Sequence, residues 1–166
     1  MVEARINAQK PMNAPYFYTS AAKQRNRSQS PESYRLYCDE IESNLWLGSV
    51  AATDEDRLKK LNITHLLSLG VNPKSVPEGI VTKKFEVEDT EEDDILQHLP
   101  GAVEFIEQAL ASENGKILVH CFGGVSRSAS CVIAYKIKKH QISFEEAYEA
   151  TQKKRKNVFP NRGFIQ

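Results

Sequence analysis

Residues 116–130, with the sequence KILVHCFGGVSRSAS, constrain the possible fold of the chain more than any other stretch. The run opens with a short apolar segment of the β type, passes through a loop with two glycines and continues into a helical segment. In such a loop the backbone N–H groups point inward, and the N-terminus of the helix adds partial positive charge. The sequence therefore predicts an anion-binding site at this turn.

The overall composition is that of one domain with an appendage, which is what 166 residues allow. The 22 basic and 22 acidic residues give a net charge of zero, so nothing draws the whole chain to nucleic acid or to a membrane surface. No stretch approaches the roughly 18 apolar residues that a membrane span needs. We therefore expect no membrane and no clear nucleic-acid partner.

The cysteines bear on the compartment in which the protein works. Their number, three, is odd and without paired spacing, and the chain begins without the apolar segment of a signal peptide. This combination favours free thiols in a reducing compartment, so we expect a cytoplasmic or nuclear protein. Cys38 and Cys131 are interpreted as small buried hydrophobic side chains.

Two parts of the chain differ in composition. Residues 1–34 carry five Lys or Arg against two Glu and show no sustained period, which predicts a flexible or loosely docked tail. Within it, the arginines before Ser30 fit a kinase site and the aromatic residues 16–18 fit a docking contact, although an ordinary tail explains both at least as well. Residues 35–166 are predicted to form the folded domain.

Periodicity and capping signals predict an α/β order for the folded domain. Strands are predicted over residues 36–41, 44–48, 63–69, 80–87 and 117–119, and helices over 53–61, 95–110, 128–139 and 143–156. Asp93 and Asp94 are expected to begin the second helix as partners of its dipole, and Trp46 and His65 to be structural. The expected fold is a central mixed sheet with helices on both faces, and its ligand should bind beyond the carboxyl ends of the strands.

The glycine loop contains a cysteine and an arginine, and the geometry of the loop indicates the chemistry of both residues. Cys121 lies at the base of the ring of N–H donors, which should favour the thiolate and lower the cysteine pKa from about 8.5. Arg127 closes the ring with a planar fork that can hold two oxygens of a tetrahedral anion. Gly123 and Gly124 allow the backbone to approach closely. These features favour nucleophilic attack on a phosphate ester through a phosphocysteine intermediate.

Such a reaction also needs a proton for the leaving group and a base for the attacking water. Asp89 is the candidate for both roles because it lies in the loop directly after a predicted strand. From spacing alone, the choice between Asp89 and its acidic neighbours is nearly even. Ser128 is placed to donate a hydrogen bond to the sulfur, which would make it a better leaving group.

The segment from His120 to Ser128 resembles the HCxxGxxRS signature of the cysteine-dependent protein phosphatases, and the wider chain is similar to their dual-specificity branch. Further similar segments are at residues 45–49, 63–67, 88–90, 103–106, 147–148 and 160–164, so that the resemblance covers roughly residues 36–166. It implies that Cys121 is the nucleophile, Arg127 the phosphate clamp and Asp89 the general acid.

The resemblance also implies roles for the residues around these three. The substrate phosphate is expected to contact the loop residues Phe122, Gly123, Gly124, Val125, Ser126 and Arg127. His120 is expected to orient the loop and to tune the thiolate, and Asn161 to support the structure near it. The family needs no metal, so no cofactor is expected.

The function implied is that of a protein phosphatase that hydrolyses phosphotyrosine and phosphoserine or phosphothreonine, with phosphorylated proteins as partners. The alternatives are a phosphoprotein-binding relative without turnover, and a phosphatase acting on RNA 5′ ends or lipids. The uncharged loop interior over 122–126 argues against phosphoinositides, and the basic run over 153–156 is interpreted as a solvated helix end. The chain stops at Gln166, inside the family's last helix, which suggests a longer natural protein.

Overall fold

The computed structural model describes residues 37–165. The tail predicted over residues 1–34 lies outside the described residues, together with the interpretations of Ser30 and of residues 16–18. Within the described range, the regular elements follow the predicted β–β–α–β–β–α–β–α–α order.

A five-stranded mixed sheet forms the centre of the domain. Its strands are β1 (Cys38–Glu42), β2 (Leu45–Ser49), β3 (His65–Leu69), β4 (Val81–Phe85) and β5 (Ile117–Cys121). Their spatial order is β1-β2-β5-β3-β4, in which β1 is antiparallel to β2 and all other neighbours are parallel. The carboxyl ends of the four parallel strands therefore meet at one edge of the sheet, where α/β proteins bind their ligands.

Helices cover both faces of this sheet, as predicted. They are α1 (Glu55–Lys60), α2 (Leu99–Ala111), α3 (Arg127–His140) and α4 (Phe144–Lys154), with short 3-10 helices at Val50–Thr53 and Arg162–Phe164. The larger hydrophobic core lies between the sheet and α2, α3 and α4, and the smaller one lies between the sheet and α1. None of the helices between residues 37 and 165 is long and apolar enough to cross a bilayer.

The central strand β5 is buried along its whole length because both of its faces are covered. Successive side chains of a strand point to opposite faces, so Ile117 and Val119 belong to the larger core and Leu118 to the smaller one. Trp46 of β2 packs, partly buried, against the smaller core, and the ring of His65 contacts an aromatic ring of α2. The structural interpretation of both side chains is confirmed.

The second helix begins later than predicted. It starts at Leu99 with Pro100 in its first turn, where the missing N–H of proline breaks no helical hydrogen bond. Asp93 and Asp94 lie before it, so the expectation that they begin the helix is wrong. Asp93 Oδ2 instead accepts the backbone N–H of Glu88 (2.5 Å), and Asp94 Oδ1 accepts the N–H two residues on (2.9 Å). These bonds fold the acidic stretch into a loop after β4.

The last helix, α4, begins at the predicted capping box. Ser143 Oγ accepts the N–H of Glu146 (3.2 Å), and the carboxylate of Glu146 accepts the N–H of Ser143 (2.9 Å). The helix ends at Lys154. The basic run over 153–156 therefore extends past the helix into the segment that returns to the glycine loop.

Candidate active site

The glycine loop lies at the carboxyl edge of the sheet, between β5 and α3. β5 ends at Cys121 and α3 begins at Arg127, which leaves five residues between them. Gly124 has a φ of +67°, and a Cβ at this position would lie 2.5 Å from the carbonyl group of Gly48 in β2. A Cβ at Gly123 would meet nothing closer than 3.5 Å. Only Gly124 is therefore required for the loop to pack against β2.

Cys121 is buried, and its sulfur is surrounded by donors. Sγ accepts hydrogen bonds from the backbone N–H of Gly124 (3.2 Å) and from the hydroxyl of Ser128 (3.2 Å). Burial raises the pKa of the Cys121 thiol, but the Ser128 hydroxyl and the N–H groups of Ser128, Gly124 and Val125 together lower it below its ordinary value. The loop thus stabilises the thiolate, as the sequence predicts.

Arg127 is the first residue of α3, and its side chain is buried against the loop. One terminal nitrogen donates to the carbonyl oxygen of Val87 (3.1 Å), which fixes the guanidinium plane. Its Nε is buried without a hydrogen-bond partner among the described residues and lies 3.8 Å from Oδ2 of Asp89. A buried donor without a partner is costly, and an anion bound in the loop would supply the missing acceptor.

Asp89 is brought to the loop by two contacts that sequence spacing alone does not reveal. Its Oδ1 accepts hydrogen bonds from the hydroxyl of Ser126 (2.7 Å) and from the side-chain amide of Asn161 (2.8 Å). Asn161 also donates its backbone N–H to the Ser126 oxygen (3.0 Å). Asp93 and Asp94 are instead used in backbone contacts of their own loop. Among these carboxylates, Asp89 is the one hydrogen-bonded to the glycine loop.

The remaining predicted loop residues are Phe122 and Val125. Their carbonyl groups accept hydrogen bonds from two neighbouring segments of the same chain. The carbonyl of Phe122 accepts the N–H of Val50 (3.2 Å), and that of Val125 accepts the N–H of Phe159 (2.9 Å). The loop interior carries no charged side chain between Cys121 and Arg127. The backbone N–H groups and the arginine are therefore its anion-binding groups.

His120 supports the loop from inside the sheet. Its ring is fully buried, and Nε2 lies 2.7 Å from the hydroxyl of Ser68 in β3. Burial lowers the pKa of His120 to about 4, against a smaller raising effect of the Cys121 backbone, so the ring is neutral near pH 7. It joins β5 to β3 directly beside the nucleophile. The sequence does not reveal this role of Ser68, because a serine within an apolar strand carries no local signal.

Arg155 is a second residue of the site that the sequence did not reveal. It is 2% exposed, so the interpretation of residues 153–156 as a solvated helix end is wrong at this position. Its guanidinium donates to the carbonyls of Gly124 (2.9 Å) and Gly123 (3.4 Å) and pairs with Asp39 of β1 (2.8 Å). The other three residues of the run, all lysines, are exposed, as predicted.

The two other cysteines differ from Cys121 in their chemistry. Cys38 and Cys131 are buried with free thiols, as predicted. Burial raises the pKa of Cys38 to about 11, and burial also raises that of Cys131, with a smaller contribution from the nearby Cys121. Only the thiol in the glycine loop is shifted toward the reactive thiolate. No group of three His, Cys, Asp or Glu side chains within residues 37–165 is arranged to hold a metal ion.

A stabilised thiolate, a ring of N–H donors, a buried arginine and an adjacent carboxylate lie together at the carboxyl edge of an α/β sheet. This combination of fold and site defines a cysteine-dependent phosphatase. Comparison with protein families agrees, since residues 45–166 match the dual specificity phosphatase catalytic domain. The chain belongs to the dual-specificity phosphatase family, which confirms the resemblance seen in the sequence.

Individual relatives support the same assignment. The chain is 46% identical over 134 residues to dual specificity protein phosphatase MPK-4 of Drosophila melanogaster and 43% identical over 128 residues to dual specificity protein phosphatase 1B of Arabidopsis thaliana. Each match covers 76% of this chain, but 34% of the Drosophila protein and 76% of the Arabidopsis protein. The chain thus spans about a third of the length of the first relative and three quarters of the second.

Solved structures show the same fold. The structure of DUSP15 is similar with a TM-score of 0.73 and 31% sequence identity, over 79% of this chain and 84% of that one. The expected α/β fold and the expected protein phosphatase class are therefore both found in proteins that this chain resembles along most of its length.

Proposed function

We propose that the chain hydrolyses phosphotyrosine, phosphoserine and phosphothreonine in proteins through a phosphocysteine intermediate formed on Cys121. The observation that carries this proposal is that a thiol of lowered pKa and the Nε of Arg127, which has no hydrogen-bond partner within residues 37–165, lie at the two ends of one loop. The first group is a nucleophile, and the second is a donor in need of an anion. A phosphate ester satisfies both.

In the first step, the sulfur of Cys121 attacks phosphorus, and the bond from phosphorus to the ester oxygen breaks. The loop N–H groups and Arg127 hold the charge on the other phosphate oxygens. Asp89 gives a proton to the departing alkoxide or phenoxide. The hydrogen bonds of Ser126 and Asn161 to Asp89 support this role because they hold the carboxyl group beside the loop.

In the second step, a water molecule attacks the phosphocysteine while Asp89 removes its proton. The bond between sulfur and phosphorus breaks, inorganic phosphate is released, and the thiolate of Cys121 is restored. Ser128 stabilises this leaving thiolate through the hydrogen bond from its hydroxyl. His120 and Asn161 are assigned supporting roles, the first beneath the loop and the second beside Asp89.

The alternative functions have weaker support. A phosphoprotein-binding relative without turnover would not need the nucleophile, the arginine and the acid, and all three are present here. A phosphoinositide phosphatase would gain from basic side chains in the loop, whereas residues 122–126 are uncharged.

The unpaired state of all three cysteines supports the expected reducing compartment, the cytoplasm or the nucleus.

Phosphate release from phosphopeptides tests the proposal directly. Cys121→Ser should abolish turnover and still bind a phosphopeptide, because the N–H ring and Arg127 remain. Asp89→Asn should lower kcat by roughly 10²–10⁴, with the larger loss for poor leaving groups. The exposed neighbour Glu92 provides the matched control, since Glu92→Gln also removes one negative charge from the acidic loop. Near wild-type turnover by Cys121→Ser, or an equal loss with Glu92→Gln, would contradict the mechanism.

A further inference from the structure

Two phenylalanines are exposed at the glycine loop, one within it and one hydrogen-bonded to it through the backbone. Phe122 and Phe159 are 69% and 66% exposed, the highest values among the exposed large hydrophobic residues of the described region. The other four phenylalanines between residues 37 and 165 are buried or partly buried. A phenyl ring left in water forgoes the favourable free energy of burial. One of the two exposed phenylalanines lies in the loop and the backbone of the other is hydrogen-bonded to it, so a ligand bound at the loop can cover both rings.

Backbone hydrogen bonds anchor the main chain at both phenylalanines. Phe122 directly follows the nucleophile in sequence, and its carbonyl accepts the N–H of Val50 (3.2 Å). Phe159 donates its N–H to the carbonyl of Val125 (2.9 Å), and the next residue, Pro160, is buried. The two side chains therefore project to solvent from an anchored backbone. We call this pair the phenylalanine rim.

The chemistry of the rim differs from that of the loop it borders. The loop offers N–H donors and a guanidinium, which recognise the phosphate group alone. The rim is apolar, and neither of its members carries a hydrogen-bonding side chain. It therefore complements an apolar group attached to the phosphate rather than the phosphate itself. Aromatic rings are well suited to such a surface because they pack against one another edge to face or with an offset.

We propose that the phenylalanine rim contacts the aromatic ring of phosphotyrosine and makes phosphotyrosine the preferred substrate over phosphoserine and phosphothreonine. The inference rests on the proposed phosphatase function and specifies its substrate. In phosphotyrosine a ring separates the phosphate from the peptide backbone, so the rim meets a ring when the phosphate is in the loop. In phosphoserine and phosphothreonine the phosphate lies close to the backbone, and no ring is available for the contact.

Two peptides of one sequence, differing only in phosphotyrosine or phosphothreonine at the same position, provide the test. Wild-type kcat/KM should favour the phosphotyrosine peptide by about tenfold, as one aromatic contact of about 1.4 kcal/mol would give. Phe159→Ala should lower kcat/KM for phosphotyrosine by about three- to tenfold and leave that for phosphothreonine within about twofold. Phe122→Ala should lower the ratio of the phosphotyrosine to the phosphothreonine kcat/KM by a similar factor. Phe159→Leu, which keeps an apolar side chain, should retain part of the preference.

Val81→Ala is the matched control, because Val81 is a comparably exposed apolar residue (51%) at the amino end of β4, away from the loop. Phe159 lies outside the loop, so its variants test the inference even if a substitution at Phe122 disturbs folding. Equal losses of kcat/KM for both peptides would show that the rim contacts flanking residues and would overturn the inference. An unchanged kcat/KM for the phosphotyrosine peptide in the Phe159 variants would overturn it as well. No phosphate release from either peptide by the wild type would overturn the proposed function as well.

Discussion

Arg155 donates a hydrogen bond from Nε to the carbonyl oxygen of Gly124 over 2.9 Å, from the outer side of the glycine loop. Within one trans peptide group, the carbonyl of a residue and the N–H of the next residue point in opposite directions. Because the guanidinium holds the carbonyls of Gly123 and Gly124 outward, the N–H of Gly124 is left to point inward at the sulfur of Cys121. The ion pair with Asp39 balances the charge of this buried arginine.

Replacing Arg155 with methionine should weaken both catalysis and folding. We expect kcat/KM to fall by about 10- to 100-fold, because loop misplacement alone can cost that much, and the affinity for vanadate to fall with it. The free energy of unfolding should drop by about 2 kcal/mol, since Asp39 would lose its partner. Enzyme kinetics, vanadate inhibition and urea denaturation measure the three effects.

Lys154→Met is the control for this substitution because Lys154 is exposed and one residue away. It should change none of the three quantities appreciably. If Arg155→Met lowered stability but left vanadate affinity unchanged, Arg155 would support the fold without positioning the loop.

The two loop glycines should respond differently to alanine. Gly124→Ala should remove activity and lower the free energy of unfolding by about 2 kcal/mol or more, because the residue needs a positive φ and its Cβ would lie 2.5 Å from the backbone of Gly48. Gly123→Ala should fold with nearly wild-type stability, since its Cβ meets nothing closer than 3.5 Å. Thermal unfolding of both variants compares them, and equal destabilisation would contradict the loop geometry.

Ser128 should set the pH at which the nucleophile ionises. Its hydroxyl donates to the Cys121 sulfur and lowers the thiol pKa, so Ser128→Ala should raise that pKa and move thiolate formation to higher pH. The rate of inactivation by iodoacetate as a function of pH reports this shift. Ser130→Ala is the control, because the Ser130 hydroxyl donates to the backbone carbonyl of Ser126. Identical pH profiles for Ser128→Ala and the wild type would contradict the assignment.

His120 should make the fold sensitive to mild acid. Its pKa is about 4 in the folded protein and about 6.5 when unfolded, so below pH 6.5 the unfolded chain binds a proton that the folded protein does not. Stability should therefore be unaffected above pH 7 and fall as the pH is lowered from 6.5 to 4, by about 3 kcal/mol in total. Urea midpoints measured across this range should fall less steeply in His120→Gln, and an unchanged slope would contradict this.

Much of the fold follows from local patterns that the sequence displays. The apolar runs of β3 and β5 and the capping box at Ser143 each depend on neighbours within a few positions, and the structure confirms these elements. The sequence does not locate the start of α2, because acids before an amphipathic segment suit a helix N-terminus and a hydrogen-bonded loop equally well. In the structure, the carboxylates of Asp93 and Asp94 accept hydrogen bonds from nearby backbone N–H groups, and these bonds stabilise the loop conformation.

The class of chemistry follows from one continuous segment, because a thiol and a guanidinium separated by five residues across a glycine turn can form a phosphate site. The residues that surround this segment in space follow from the folded chain. Asp89 reaches the loop through Ser126 and Asn161, and Arg155 braces the loop from 31 positions away. Such contacts join residues far apart in sequence, and they form only when the sheet and helices bring distant segments together.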